Sequence, residues 1–358
     1  YKRKFQWNSH HNEIVEHLEA VYRGDITKLI INIPPRYGKT ELVIKMFSAW
    51  CYAKTPSANF IHLSYSQNLV TDNSGIIKDM VKSKLYQSLF PDTVLSADTQ
   101  GKGHWKTTEG GSFYATAAGG SVTGFGAGSM DEVDDDGNYT FTGAILIDDP
   151  LKPDDAHSEA LREFVNARWH STIRSRRNNP KTTPVIVIMQ RIHEHDFSAM
   201  LMETEPGEWE LLKISALNED GEALWPQMHS KEELEKMQAA DRYSFSAQYG
   251  QNPTVIGGNM FKSSYWRYYS VLPKIQKRII YADTALKAGE KNDYSVFQCW
   301  GISYTNTLYL IDQIRGKWEA PELNVVAEAF YNKHKCVKGL GVLSAVKIED
   351  KASGTGLI

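Results

Sequence analysis

The stretch "LIINIPPRYGKTELV", Leu29 to Val43, decides how the chain is read. It ends as a phosphate-binding loop ends, in Gly38, Lys39 and Thr40. It begins differently, because Ile33 stands where the pattern G-x-x-x-x-G-K-[ST] requires its first glycine. "KLIINI" is a short apolar run of the kind a buried parallel strand presents, and Pro34 and Pro35 stop it. After Thr40, "ELVIKMFSAWCYAK" reads as a helix with Leu42, Met46 and Trp50 on one face. Strand, tight turn and helix N-terminus form the setting in which backbone N–H groups stabilise phosphate oxygens. Lys39 would reach the β- and γ-phosphates, and the Thr40 hydroxyl is the Mg²⁺ ligand of the pattern. A Pro-Pro pair could supply the turn rigidly in place of the missing glycine, each proline removing one N–H. The same residues also fit a proline-rich turn that carries Gly-Lys-Thr by chance.

A second segment separates these readings. "AILIDDP" is a buried apolar strand ending in Asp148 and Asp149, where open α/β sheets bind ligands. Asp148 would hold Mg²⁺ and Asp149 would orient the attacking water. The alternative is a strand end whose aspartate caps the following helix, but that helix, "DDAHSEALREFVNARWHSTIRSRR", is expected to start at Asp154 or Asp155. With both motifs in order, an ATP-hydrolysing site is the reading.

Around them, a loop and a helix with Ile14, Val15, Leu18 and Val21 in register end at Gly24. "NFIHLSYS" and "TPVIVIMQRIHEHD" are further strands, and "GHWKTTEGGSFYATAAGGSVTGFGAG" suggests hairpins and a mobile loop. This alternation predicts a P-loop ATPase domain, α/β, with a doubly wound, mainly parallel sheet. From Pro206 to Pro273 the pattern breaks up, placing a motor domain at 1–250, a linker at 251–275 and a second domain at 276–358. There, "KRIIYADTALKAGEKNDYSVFQCWGIS" and "TLYLIDQIRG" give three antiparallel strands. A helix near Glu322 to His334 and a parallel strand, "SAVKIED", complete an α/β unit.

Composition sets the bounds. The chain has 358 residues, 41% hydrophobic and 23% charged, which favours two packed domains over one. No apolar run is long enough for a membrane span and no secretory signal is visible. Cys51, Cys299 and Cys336 are isolated, which argues against a disulfide frame or zinc cluster and fits a reducing cytosol. A net charge of -3 means that any nucleic-acid binding must rest on local patches. The start at Tyr1 and the stop after "VKIEDKASGTGLI" are read as those of a fragment.

Asp283 ends an apolar strand, and Glu349 and Asp350 end another. Carboxylates from separate strands are what a two-metal nuclease needs, and adjacent strand residues face opposite sides, so only one of Glu349 and Asp350 would ligate. Asp293, before a strand, could assist. "DEVDDDGNY" reads as a solvated hairpin tip turning at Asp136-Gly137; as a calcium loop it lacks the last glutamate, with Gly143 in its place. His193 and His195 lie too alone to make a zinc site.

Taken in order, "NIPPRYGKTELV", "GGSVTGFGAG", "ILIDDPLKPDDAHSEALRE", "VIVIMQRIHEHDFSAML", "FSAQYGQNP", "GGNMFK" and "YADTALKAGEKNDYSV" resemble the large terminase subunit of tailed bacteriophages and prophages. The resemblance runs over nearly the whole chain. It implies an ATP-driven motor that moves double-stranded DNA into a procapsid, fused to an RNase-H-like, Mg²⁺- or Mn²⁺-dependent endonuclease. By the same resemblance, Pro35, Arg36, Gly38, Lys39, Thr40, Glu41 and Gln190 contact ATP, and Arg36, Lys39, Asp148 and Asp149 are catalytic. Thr40 and Asp148 hold Mg²⁺, Gln190 and Arg191 couple hydrolysis to movement, and Asp283 and Glu349, with Asp350, belong to the nuclease. Asp149 stands where many relatives have glutamate, one methylene longer. Trp7, His10 and His11 resemble an adenine-side motif; a core aromatic with two surface histidines is the other reading. Many relatives carry a trans-acting arginine where Phe125 stands, which leaves Arg174, Arg176 and Arg177 as candidates for that role, for DNA contacts or for a helix end. The implied partners are DNA, a portal protein, a small terminase subunit and further copies in a ring. The implied place is the host cytoplasm and, transiently, the portal, but not the mature virion. The rivals are a helicase-like translocase or repair ATPase, and a non-catalytic nucleotide-binding prophage remnant.

Overall fold

The computed structural model describes residues 5–130, 139–253, 266–284 and 294–348. The chain divides into two compact units, Tyr1–Phe261 and Lys262–Ile358.

The first unit opens with α1 (Ser9–Arg23), whose Ile14, Leu18 and Val21 are buried. Gly24 ends it in the left-handed region, φ 84°, where only glycine is free of strain. Strand β1 (Lys28–Asn32) is buried throughout. The expected regular helix after Thr40 instead begins as a π-helical segment, Thr40–Met46, before α2 (Phe47–Lys54). The wider turn changes the buried face: Leu42, Val43, Ile44 and Phe47 enter the core, while Met46 and Trp50 are only partly covered. Then come β2 (Asn59–Ser64), α3 (Gln67–Lys82), α4 (Lys84–Leu89), β3 (Leu95–Gln100), β4 (His104–Thr107), β5 (Ser112–Ala117) and β6 (Ile145–Asp148). The next helix, α5 (Glu159–Arg168), starts later than expected. Ser158 caps it, its hydroxyl accepting from the Leu161 N–H, and Asp154 and Asp155 form only a 3₁₀ turn. Strand β7 (Val185–Met189), α6 (Phe197–Thr204), β8 (Glu210–Lys213), α7 (Lys231–Ala240) and α8 (Arg242–Gln248) follow.

The sheet runs β3-β4-β5-β2-β6-β7-β1-β8. From β5 to β8 all neighbours are parallel, and β3 and β4 add an antiparallel edge. Alternate residues of β1 feed the two faces. Leu29 and Ile31 join a core with Ile14, Phe47, Phe60 and Ile188, and Ile30 joins one with Leu63, Ile147, Trp169 and Phe197. The sheet is thus covered by helices on both sides, as doubly wound architecture requires. The stretch after Pro206, read as irregular, supplies β8 to the sheet edge beside β1, together with α7 and α8.

The second unit is a four-stranded sheet in the order β11-β10-β9-β12. Strands β9 (Ile275–Asp283), β10 (Ser295–Ser303) and β11 (Leu308–Gly316) pair antiparallel. Helix α9 (Ala320–Lys335) then returns the chain to β12 (Val342–Ile348), parallel to β9 and starting earlier than "SAVKIED" suggests. Leu323 and Phe330, two turns apart on α9, pack on Ile280, Ala282, Phe297 and Cys299. Among the described residues no helix is long and apolar enough to cross a membrane. The hairpin tip expected in "DEVDDDGNY" lies outside the described residues apart from Tyr139.

Candidate nucleotide site

Strand order builds this site. Because β7 lies between β1 and β6, the C-terminal ends of three adjacent parallel strands deliver the Ile33–Thr40 loop, Gln190 and the Asp148-Asp149 pair to one crevice. The Thr40 hydroxyl donates to Asp148 Oδ2 at 2.7 Å. Lys39 Nζ forms an ion pair with Asp149 Oδ2, in which both side chains are largely buried. The Gln190 N–H donates to the other Asp149 oxygen, Oδ1, at 3.1 Å. Asp148 Oδ1 and Gln190 Oε1 are buried without a hydrogen-bond partner. Burial, reinforced by the charge of Asp149, pushes the Asp148 carboxyl up to about 7 despite Lys39 and Thr40.

The loop is held in an unusual backbone shape. Arg36, with φ 66°, and Gly38, with φ 83°, both take left-handed conformations, and so does Asp149 across the site, with φ 40°. Such strain persists only where the surroundings hold it. The prolines are therefore followed, not replaced, by a left-handed turn. Beneath the loop, His10 Nε2 donates to the Tyr37 carbonyl at 3.2 Å, and a Cβ at Gly38 would meet His11 Nε2 at 2.8 Å. His10 and His11 are fully buried and Trp7 is 53% exposed, which reverses the alternative of a core aromatic with surface histidines. Burial holds the His11 ring neutral, its pKa pushed down to about 4. Trp7 packs on Phe5 and His11. Pro35 is part of the loop, Arg36 is exposed beside it, and Glu41 forms an ion pair with the buried Lys45 one turn on.

The arginine candidates lie elsewhere. Phe125 is stacked on Tyr114, with centroids 3.5 Å apart. Arg174 lies 3.7 Å from Glu205, which binds Lys28 at the N-terminal end of β1, opposite the phosphate loop. The backbone of Arg176–Asn178 is bonded to Ala127 of the Gly-rich segment. The sequence pattern gives no signal for this Glu205 cluster. Lys28 donates at 2.7 Å, Trp169 at 2.9 Å and Trp209 at 3.0 Å to its carboxylate. Burial raises the Glu205 carboxyl, but these donors outweigh it, and it lies below the usual carboxylate range. Gln251, whose Oε1 accepts from the Arg191 N–H at 2.9 Å, is likewise visible only in three dimensions. Arg191 itself is clamped on Asp196, the cap of α6.

In the second unit Asp283 is exposed at the end of β9 and lines an open cavity of about 500 Å³ with Tyr281, Gln298 and Lys347. Glu349, Asp350 and Asp293 lie outside the described residues. Among the described residues no group of three or more His, Cys, Asp or Glu side chains is placed to hold a metal ion.

The chain is similar to the large terminase of a thermophilic bacteriophage, at 12% identity over 97% of this chain and 79% of that one, with a TM-score of 0.42. It is similar to the ATPase domain of the large terminase of Thermus phage P74-26, at 13% identity over 66% of this chain and 92% of that one, TM-score 0.40. A third likeness is to the Phi-28 gp11 DNA packaging motor, at 9% identity over 98% of this chain and 95% of that one, TM-score 0.34. No family model and no curated protein matches the chain. At these identities and scores no residue's role is transferred.

Proposed function

We propose that the first unit hydrolyses ATP and that the chain is the motor subunit of a phage or prophage DNA-packaging terminase. The observation that carries the ATPase reading is the convergence of Lys39, Thr40, Asp148, Asp149 and Gln190 at three adjacent strand ends. The site's own atoms fit a nucleotide with Mg²⁺. Asp148 Oδ1 is a buried acceptor without a partner, which a cation would satisfy, and Gly38 leaves the loop backbone open to close approach. Thr40 and Asp148 would hold Mg²⁺, which neutralises charge on phosphate oxygens when bound.

The remaining chemistry belongs to side chains. Lys39 would exchange Asp149 for the β- and γ-phosphate oxygens, its natural competitors for an ammonium. Asp149, released from its ion pair and still oriented by the Gln190 N–H, would accept the proton of the attacking water. Gln190 Oε1, buried without a partner, would accept the water's other hydrogen. Arg36, exposed on the loop, would add positive charge at the transferring phosphoryl group.

The packaging role rests on the ordered resemblance of the motifs. It carries with it double-stranded DNA, a portal protein, a small terminase subunit, a ring of copies, and work in the host cytoplasm on the portal rather than in the virion. The second unit, with three antiparallel strands, a helix and a parallel strand, would be an RNase-H-like nuclease. Asp283 with Glu349 or Asp350 would hold its Mg²⁺ or Mn²⁺.

Phosphate release tests both levels. The chain is assayed alone, with duplex DNA, and with DNA plus portal-bearing procapsids, with Lys39→Ala beside each. The packaging reading expects strong stimulation only with procapsids, and a loss of at least about a hundredfold in the variant. Full stimulation by DNA alone would make the chain a free translocase. Nucleotide binding without turnover would make it a non-catalytic remnant.

A further inference from the structure

Among the described residues, four that are not glycine have a positive φ: Arg36, Asp149, Gln251 and Asn306. The first two belong to the nucleotide site. Gln251 is far from them in sequence yet tied to them. Its Oε1 accepts from the Arg191 N–H, and the preceding N–H, that of Gln190, donates to Asp149. Gln251 is 1% exposed, and its amide nitrogen donates to the Gln248 carbonyl at the end of α8. One buried side chain thus accepts from the coupling segment and donates to the last helix of the first unit. An amide does both, whereas a carboxylate lacks the donor and an ammonium lacks the acceptor.

The residues beside it reach the other half of the site. Tyr249 meets His229 edge-on at 5.8 Å, and His229 stacks on Tyr37 of the phosphate loop at 5.7 Å. Backbone bonds from Ala216 to the Tyr249 carbonyl and from Asn252 to the Ser246 carbonyl fix the segment, each 2.8 Å long. Tyr249–Gln251 is therefore linked to the phosphate loop through His229 on one side and to Asp149 through the Arg191 and Gln190 backbone on the other.

We infer that Gln251 is a positioning residue that holds Arg191, and through it Gln190 and Asp149, in register, and that it passes the nucleotide state on to the chain leaving the first unit. This rests on the ATPase reading above. Once Lys39 leaves Asp149 for a phosphate, the Gln190 N–H is the bond still holding that carboxylate, so a shift of Asp149 is felt at Arg191. The left-handed backbone of Gln251 is kept by its two side-chain bonds, and loosening the one to Arg191 lets it relax to an ordinary basin.

The test is amide hydrogen exchange over residues 245–252 of the full chain. It is measured without nucleotide, with ADP and with a slowly hydrolysed ATP analogue plus Mg²⁺, beside phosphate release. The wild type is expected to change exchange at Gly250–Asn252 about tenfold between the ADP and analogue states. Gln251→Ala should bind nucleotide as the wild type does, lose about tenfold in kcat rather than in KM, and lose the nucleotide dependence of exchange. Gln251→Gly, which removes the backbone strain but restores neither bond, should behave as Ala does. Gln251→Glu, which keeps the acceptor facing Arg191, should recover part of the turnover. If Gln251→Ala only lowers the melting temperature, with kcat and nucleotide-dependent exchange intact, the positioning role is overturned. It is equally overturned if the wild type hydrolyses ATP with identical exchange in every state, a result that needs no variant to fold. A wild type that neither binds nor hydrolyses ATP removes the ATPase reading, and this inference with it.

Discussion

The two units place an aspartate at the end of an apolar strand in opposite ways. Asp148 ends β6, a strand with parallel neighbours on both sides and buried at every residue, whereas Asp283 ends β9, which is antiparallel to β10 but parallel to β12 and whose side chains largely alternate between core and solvent. Parallel strands need crossover helices on both faces, so their ends meet in an interior crevice. There Asp148 loses water, its pKa rises, and Thr40, Lys39 and Gln190 surround the acid pair. The end of β9 remains in water, and Asp283 gathers no cluster of carboxylates among the described residues. The same residue type at a strand end is enclosed among charged and polar partners in one unit and lies at an exposed end in the other. Sheet type makes the difference.

Three experiments press on this contrast. The largest effect is expected on turnover. Asp149→Asn should cut phosphate release by about a hundredfold or more, through loss of the group that takes the water proton, while Asp283→Asn should leave it within twofold. Equal losses would break the contrast. Next comes stability, read as the shift in denaturant midpoint. Glu205→Ala leaves the buried Lys28 with only the more exposed Glu208 as a partner and strands two indole N–H groups, and should cost about 2–4 kcal/mol. In the second unit, Asp312→Ala removes a carboxylate that binds Lys333 and His334 at a more open site, and should cost about 1 kcal/mol. A similar cost at both sites would mean that burial does not set the scale.

A third effect is one of pH. His62, buried in β2 and bonded to the Leu146 carbonyl, has its pKa pushed down by burial to about 4. A base whose folded pKa lies below its unfolded value stays neutral in the fold while the unfolded chain takes up protons. Stability is therefore lost as pH falls from 6.5 toward 4, by up to about 3 kcal/mol. Asp148 works in the opposite sense, because its raised pKa lets the fold keep a proton that the unfolded chain releases. His11, its pKa also pushed down to about 4, adds to the loss, so the part due to His62 is read between pH 7 and pH 5 as wild type against His62→Gln, the variant losing less stability as pH falls. An unchanged slope in the variant would remove His62 as its source.

Much of the first unit is legible in its sequence. "KLIINI" and "ILIDDP" are runs that only a strand covered on both faces would keep, and the prolines, glycine and acids that end them mark the crevice. Other features left no local trace. Strand β8, "ELLK", is only four residues long and mostly exposed, so its two leucines are too short a run to announce it, and it pairs along the edge that β1 offers. His10 and His11 are polar by type but fall on the same helical face as Ile14 and Leu18, and packing under the phosphate loop buries them. The Glu205 cluster joins Lys28, Trp169 and Trp209, which no spacing rule connects.

The sequence by itself determined the order of strands, turns and helices and the chemistry carried at each strand end, because those depend on periodicity and on residues adjacent in the chain. Only the tertiary structure decided that Lys39 meets Asp149, that Gln190 orients it, and that Gln251 binds Arg191. Each of those contacts follows from β7 lying between β1 and β6 and from the tail of the first unit folding back on the strand ends. That order is set by which apolar faces bury one another across the whole sheet, a non-local free energy that no short stretch of residues contains.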